Sequence, residues 1–222
     1  MSSEKPAKIA LDVMRPSLYS AVVADALDAF GRRRQSPRAS LRPMTSPGVL
    51  IGRCRTTLWA DMAHQDPHPY AKELEAVDGC RPDDVLIAAA GGSMRSGIWG
   101  ELLSTAARHR GCAGAVVDGA VRDVAKMTAM GFPVFARGTS PCDSKDRQRV
   151  IDIDVPVDID GVTFRTGDLV IADADGVVVV PQEIEVEVVR YALDKVRGEN
   201  VVRQAILEGM PAAEAYRRYG VL

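Results

Sequence analysis

The sequence predicts an α/β fold in which helices and strands alternate early and hairpin-linked strands come later. Three observations carry this expectation. Between residues 17 and 136, stretches of helical periodicity alternate with short β-branched runs. Between residues 151 and 180, turn pairs containing Gly and Asp separate runs rich in Val and Ile. From Pro181 onward the patterning is helical.

Each element has its own signal. Leu18, Val22, Ala26, Leu27 and Phe30 recur at helical spacing, with Ser17 placed to cap a helix over 17–30 and Gly31 to stop it. Residues 48–60 are β-branched and come after Pro47-Gly48, so they read as a strand. A short helix over 70–78, a turn at 81–84 and a strand over 85–90 come next. The Gly-rich turn 91–97 is expected to lead straight into a helix that runs to about Arg110 and stops at Gly111. Such a turn either cradles an anion on helix N-terminal amides or simply connects. It matches neither the nucleotide P-loop nor the dinucleotide fingerprint.

A strand over 113–118, a turn at Gly119 and a helix from about Arg122 to Met130 are expected after it, which puts Asp123 in a first helical turn. Residues 132–136 read as a strand and 138–149 as polar loop. From 151 to 158, Ile and Val alternate with Asp, the period-2 signature of a half-buried strand. Asp160-Gly161 suits a tight hairpin into 162–164. Gly167-Asp168 and Asp175-Gly176 precede strands over 169–172 and 177–180. Helices are expected from Pro181 through Lys195, over 201–207 and over 212–218. Residues 1–198 form the α/β domain in this reading, and 199–222 a helical tail for subunit contacts.

Composition sets the outer limits. A chain of 222 residues makes one large or two small domains. A net charge of −2 argues against an electrostatic nucleic-acid binder, which needs a basic face. Aromatic residues are 5% of the chain, so the core is expected to be aliphatic. Cys54, Cys80, Cys112 and Cys142 are scattered, and with His64, His68 and His109 they complete no zinc-finger spacing. They read as reduced thiols of a cytoplasmic protein. The N-terminal stretch lacks a leader-like apolar segment. No run approaches the roughly 20 apolar residues of a membrane span. Arg32, Arg33, Arg34, Arg38 and Arg42 either line a solvated loop or meet an anion or a neighbouring subunit. Asp61, His64, Asp66 and His68 read as loop, with metal binding the alternative.

The chemistry concentrates between Trp99 and Asp123. Glu101 and Asp123 both fall at helix starts, where the dipole favours a carboxylate by about 0.3–1 kcal/mol. Adjacent helical residues point about 100° apart, so Arg122 and Asp123 converge on one ligand only at a helix start or turn. Amides in a first helical turn, here those of Leu102 and Leu103, have no intrahelical partner. Hard carboxylate oxygens suit Mg²⁺ or Mn²⁺. A guanidinium and free amides suit a planar carboxylate. Together they suit a 2-oxo acid, with the metal as Lewis acid. Trp99, Arg95, His64 and Asp61 are candidates for the distal pocket, although Trp99 suits the core as well.

Glu101, twenty intervening residues and then Arg122-Asp123 resemble the 4-hydroxy-4-methyl-2-oxoglutarate/4-carboxy-4-hydroxy-2-oxoadipate aldolase family. That family also contains regulators of ribonuclease E activity. The resemblance runs from about residue 17 to about 185 and is tightest in WGELLSTAARHRGCAGAVVDGAVRD and GVTFRTGDLVIADADGVVVVP. Glu101 stands where Asp is familiar. The resemblance implies a direct metal-ligand role for Asp123 and a grip through water for Glu101. It implies substrate contact and tuning of the catalytic water for Arg122. The pyruvyl carboxylate would be bound by Gly100 and the amides of Leu102 and Leu103. The regulators lack the Asp after the Arg, and this chain keeps it.

The activity implied by the resemblance is that of a divalent-metal-dependent class II pyruvate aldolase, a lyase, with oxaloacetate decarboxylase as a side activity. A non-catalytic ribonuclease-regulator-type binding protein and an aldolase of sugar-derived 2-oxo-3-deoxy acids are the alternatives. The implied fold is a compact layered α/β/β/α domain, with a central β-sandwich-like sheet flanked by helices, plus C-terminal helices. The implied assembly is a homotrimer or hexamer with interface active sites, and Glu199 of a neighbouring subunit is a candidate to complete them.

Overall fold

The structure is a computed structural model that describes residues 8–45 and 48–221. Pro47, the expected start signal of the first strand, and most of the N-terminal stretch inspected for a leader lie outside the described residues. In chain order the elements are α1 (Leu11–Met14), α2 (Ser20–Ala29), β1 (Arg42–Pro43), β2 (Leu50–Asp61), α3 (Ala71–Asp78), β3 (Asp84–Ala89) and β4 (Gly97–Trp99). Next come α4 (Glu101–His109), β5 (Gly114–Val121), α5 (Val124–Met130), β6 (Val134–Thr139) and β7 (Gln148–Ile153). The chain ends with β8 (Val157–Ile159), β9 (Val162–Phe164), β10 (Leu169–Ala172), β11 (Val177–Val180), α6 (Glu185–Leu207) and α7 (Ala212–Tyr219).

One sheet runs β1-β6-β5-β3-β2-β10-β11, with β4 on β5 and β7 on β2. Its centre, β2, β3, β5 and β6, is parallel, as is β4 on β5, and β1, β7, β10 and β11 pair antiparallel. Parallel central strands are buried on both faces, and their alternation assigns each face. Leu86, Ala88, Ala115 and Val117 pack under α3, α4 and α5. Val85, Ile87, Val116 and Phe135 face inward, towards the β8–β9 hairpin and the inner face of β10 and β11. The outer face of β10 and β11, with Leu169, Ile171, Val178 and Val180, is covered by α1, α2 and α6. The sheet is therefore curled, and the layers run α/β/β/α as expected. Each fully buried Val, Leu or Ile side chain contributes about 1.5–3 kcal/mol.

Several local expectations are corrected. Ser17 does not cap α2. The helix begins at Ser20, whose N–H and hydroxyl both bond the Asp173 carboxylate at 2.6 Å, from 153 residues along the chain. The strand expected over 151–158 is two strands, β7 and β8, broken at Asp154 with φ +58°. Ile151 falls at a bulge against β2, between the partners of Leu58 and Trp59, so Val150 is buried and Ile151 is exposed. The helices expected to 195 and over 201–207 are one, α6, of 23 residues. Gly198 in a helix interior costs about 1 kcal/mol. Contacts on both sides hold the helix through it: Lys195 to Asp25 at 2.5 Å and the Tyr19 hydroxyl to Glu199 at 2.6 Å.

Gly52 shows how tight the inner layer is. A Cβ there would lie 2.4 Å from the Asp83 carbonyl oxygen and 2.7 Å from Val85 Cγ2. Gly52→Ala should therefore lower stability by about 1–3 kcal/mol through overpacking. A urea midpoint equal to wild type would show that the strands shift at no cost.

Candidate functional site

β5 does not turn at Gly119 as expected. It continues to Val121, and Gly119 is needed for a close approach: a Cβ there would lie 2.9 Å from the Ser93 carbonyl oxygen. Arg122 and Asp123 therefore occupy the short step between β5 and α5. The end of β5 is fixed on both sides. Arg122 N–H bonds the Trp99 carbonyl at 2.8 Å, and Ser140 N–H bonds the Val121 carbonyl at 3.0 Å. Asp123 is the N-cap of α5 and sits in the left-handed region at φ 57°, ψ 30°. Asp tolerates that region better than most residues, at a cost of about 1–2 kcal/mol. Its carboxylate does not serve its own helix, which corrects the first-turn expectation. Oδ2 instead accepts the Glu101 N–H at 3.2 Å, the first amide of α4.

Gly100 makes that crossing possible. A Cβ there would lie 2.8 Å from Asp123 Oδ2 and 3.1 Å from Arg122 Cγ. The N-terminus of α4 has no side-chain cap bond from Gly100, and its first internal bond is Ser104 N–H to the Gly100 carbonyl at 3.1 Å. The amides of Leu102 and Leu103 thus lie in the turn that lacks internal partners. The Glu101 carboxylate accepts the Thr105 hydroxyl at 3.0 Å.

These groups border a cavity of about 280 Å³. Gly97, Ile98, Gly100, Glu101, Leu102, Leu103, Arg122 and Asp123 line it. So do Tyr70, Glu73 and Leu74 at the start of α3, with Ser144. Arg122 lies between two carboxylates, Asp123 at 3.9 Å and Asp143 at 3.6 Å. The Tyr70 hydroxyl donates to Asp143 at 2.7 Å. Leu74 and Leu102 expose apolar surface at the rim, 51% and 76% accessible.

The α3 side was missed in the sequence. One signal was readable there: Glu73, Ala76 and Val77 stand at i, i+3 and i+4, so Glu73 lies on the buried face of α3. It is only 8% exposed. Burial, then the neighbouring Asp143 charge, pushes its carboxyl up to about 8 against the pull of Arg122 and a hydrogen bond with Ser144. Burial and the bond to Asp143 push the Tyr70 phenol up to about 12. Burial also works against the Asp143 carboxylate. Hydrogen bonds from Tyr70 and the Lys145 and Ser144 amides, together with the Arg122 charge, outweigh it and hold Asp143 below the usual range.

Other candidates lie elsewhere. The turn 91–97 leads into β4 and not into a helix, and its Gly92 N–H is taken by Asp118, the chain's own anion, at 3.1 Å. Trp99 is core: it is 1% exposed, stacked with Phe132, and donates to Ser104 Oγ at 2.8 Å. Arg95, His64 and Asp61 are exposed and do not line the cavity. Asp61, expected in a loop, ends β2, and Asp66 is engaged by Arg149 at 3.3 Å, which ties down the loop after that strand. Arg32 meets Glu183 at 3.8 Å, while Arg33, Arg34 and Arg38 line a separate cleft beside Asp160 and Gly161. Glu199 is bound within its own chain by Tyr19 and lies 3.9 Å from Lys195. The four cysteines are free thiols.

Among the described residues no three His, Cys, Asp or Glu side chains converge on one point. Asp123 and Glu101 offer hard oxygen donors from the two ends of one hydrogen bond. That donor set fits a cation that keeps most of its waters, as Mg²⁺ does, and does not fit a fully protein-caged ion.

Comparison with known proteins bears on this geometry. The RraA-like family description, Aldolase/RraA, matches residues 20–179. A protein of Halalkalibacterium halodurans named "Putative 4-hydroxy-4-methyl-2-oxoglutarate aldolase" is 33% identical over 194 residues, 87% of each chain. An uncharacterised protein from Pseudomonas syringae pv. tomato superposes with TM-score 0.80 at 27% identity, over 94% of this chain and 98% of that one. Streptomyces coelicolor RraAS2, described as an unusual member of the RNase ES inhibitor RraA protein family, superposes with TM-score 0.78 at 29% identity, over 90% and 98%.

Glu73 makes the site's effect on stability measurable. The folded carboxyl holds its proton up to about 8, while an ordinary one releases it near 4.5. Between those values the unfolded chain binds fewer protons than the folded one, so stability falls as pH rises. The favourable term is complete below about 4.5 and lost through about 8. Glu73→Gln should therefore gain on wild type by on the order of 2 kcal/mol between pH 5.5 and pH 8.5. Urea unfolding at both pH values checks this, and a pH-independent difference would refute the raised carboxyl.

Proposed function

The chain belongs to the RraA-like, Aldolase/RraA family, and on that premise we propose that it is a divalent-metal-dependent pyruvate aldolase. It cleaves a 4-hydroxy-2-oxo acid to pyruvate and a second carbonyl compound. The observation that carries this reading is the Asp123–Glu101 hydrogen bond, which sets Arg122, a carboxylate pair and the open amides of α4 around one cavity.

The chain's own residues support each task. The Leu102 and Leu103 amides and the positive end of α4 bind the substrate carboxylate. The Arg122 guanidinium faces the 2-oxo oxygen and stabilises the negative charge that develops there as the C3–C4 bond breaks. Asp123 and Asp143 flank Arg122 and fix its orientation. Asp123 and Glu101 are the residues that would hold Mg²⁺ or Mn²⁺, Glu101 by way of water, and the ion would supply a Lewis acid for the 2-oxo group. The same charge stabilisation permits oxaloacetate decarboxylation as a side activity. The exposed apolar rim at Leu74 and Leu102 supports assembly as a homotrimer or hexamer that covers the mouth of the site. Free thiols support a cytoplasmic setting. Among the described residues no helix is long and apolar enough to cross a membrane.

The likeness to RraAS2 favours a second reading, a non-catalytic partner of a ribonuclease. Under that reading Asp123 is a cap and nothing more. A substrate panel separates these and also tests sugar-derived 2-oxo-3-deoxy acids. With Mg²⁺ or Mn²⁺, purified protein should release pyruvate from a 4-hydroxy-2-oxo acid or from oxaloacetate, and EDTA should stop it. Tight ribonuclease binding with no pyruvate from any substrate would establish the second reading.

The Asp123→Ala variant is more specific. It should lose at least about 100-fold in kcat/KM while keeping its fold, because a metal-held charge is worth several kcal/mol to such a reaction. Unchanged turnover would remove Asp123 from the metal role.

A further inference from the structure

Glu73 stands in the wall of the cavity with no task in the metal-assisted cleavage. Among the acidic and phenolic groups of the α3 side, it differs from its neighbours. Asp143 is held as a carboxylate by the Tyr70 hydroxyl, the Lys145 and Ser144 amides and Arg122. The Tyr70 proton is committed to that bond. Among the described residues no cation is bonded to Glu73, which shares the buried face of α3 with Ala76 and Val77 and borders the cavity.

We propose that Glu73 is a catalytic proton carrier of this site, delivering the proton that C3 of the pyruvyl fragment takes up after C–C cleavage. The proposal rests on the aldolase reading and names the residue that completes the reaction. Glu73 lines the same cavity as Leu102 and Leu103 of α4 and Arg122. A carboxylate seated on the α4 amides, with its 2-oxo oxygen towards Arg122, leaves C3 inside the cavity that Glu73 borders. The step balances. The C3–C4 bond breaks and its electron pair passes to C3. The 4-hydroxyl proton leaves to solvent as C4 becomes a carbonyl. C3 takes the proton of the Glu73 carboxylic acid, and the resulting carboxylate regains one from water.

The surroundings keep Glu73 suited to this. An acid works best when its pKa lies near the working pH, and Glu73 is held near 8 by burial and by Asp143. The charged groups acting on it are Asp143 and Arg122, with Ser144 in hydrogen-bond contact. Cations on the far side are engaged elsewhere: Arg149 with Asp66 at 3.3 Å and Lys72 with Asp152 at 4.0 Å. Glu101 on α4 is bonded to Thr105. A neutral carboxylic acid beside the cavity also costs less than a buried charge when the pocket is empty.

Methyl-proton exchange of pyruvate in D₂O, measured by NMR with Mg²⁺ present, tests this directly. In exchange the same carboxyl works in both directions. Ionised, it takes a methyl proton, and deuterated, it returns a deuteron. Wild-type exchange should rise with pH towards about 8. Glu73→Gln should slow it on the order of 100-fold and abolish that limb, with oxalate binding little changed. Glu73→Asp should restore part of the rate. A Gln variant that exchanges at the wild-type rate overturns the proposal and leaves the aldolase reading standing. One that loses oxalate binding together with exchange assigns Glu73 to pocket shape and overturns it too. A wild-type protein that exchanges no methyl proton, and releases no pyruvate from any substrate, removes both readings.

Discussion

The site depends on the hydrogen bond from the Glu101 N–H to Asp123 Oδ2, at 3.2 Å. It joins the start of α4 to the step between β5 and α5, and so holds two helix N-termini against one strand end. Each neighbouring constraint serves that contact. Gly100 must lack a Cβ, because one would lie 2.8 Å from the carboxylate oxygen. Gly97 must lack one too, because the Ser140 carbonyl would lie 2.6 Å away and Arg122 Cβ 2.9 Å. Asp123 accepts a left-handed backbone to make the reach. Strain of this kind persists only where surrounding structure enforces it, and here β4, β5 and β6 do so together.

Charge placement stems from the same geometry. Arg122 projects from a strand end whose backbone is fully bonded, so its guanidinium settles between Asp123 and Asp143 and not into the core. Asp143, tied by Tyr70, keeps its negative charge and raises the cost of ionising Glu73 nearby. One arginine therefore organises a carboxylate on each side. The neutral acid lies on the buried side, where solvent does not compensate a charge. The separation of two carboxylates into ionised and protonated forms gives a single cavity both an anionic and a proton-donating wall.

Much of this was readable from residues near each other in the chain. The strands over 169–172 and 177–180 and the Asp160-Gly161 hairpin were given by turn chemistry, and the structure keeps their limits. Glu101, Leu102, Leu103, Arg122 and Asp123 were readable as a group because one βα unit carries them all, and they border one cavity. What was not readable depends on residues far apart. The cap of α2 comes from Asp173, the bulge at Ile151 is set by pairing with β2, and the filling of the 91–97 turn is done by Asp118. The α3 wall failed for the same reason. Tyr70, Glu73 and Asp143 meet only after β7 docks on β2 and brings the 140–147 loop to the start of α3.

Two Asp–Arg arrangements adjoin β5, one within it and one just past its end, and the contrast between them separates structure from function. Asp118 lies within the strand, accepts Arg137 Nε at 2.5 Å and the Gly92 N–H at 3.1 Å, and its side chain is 2% exposed. Such a pair is satisfied and closed, and removing Arg137 leaves the buried Asp118 carboxylate without its cation. Arg122 and Asp123, at the strand's end, are 3.9 Å apart with side chains 36% and 39% exposed. Nothing in that looser pair saturates the guanidinium, whose five donors meet carboxylates at 3.6 Å and beyond. Identical residue types around one strand thus divide by satisfaction. The inner pair spends its hydrogen-bonding capacity on the fold, and the outer pair holds its capacity open towards the cavity, where a planar anionic ligand has the geometry to take it.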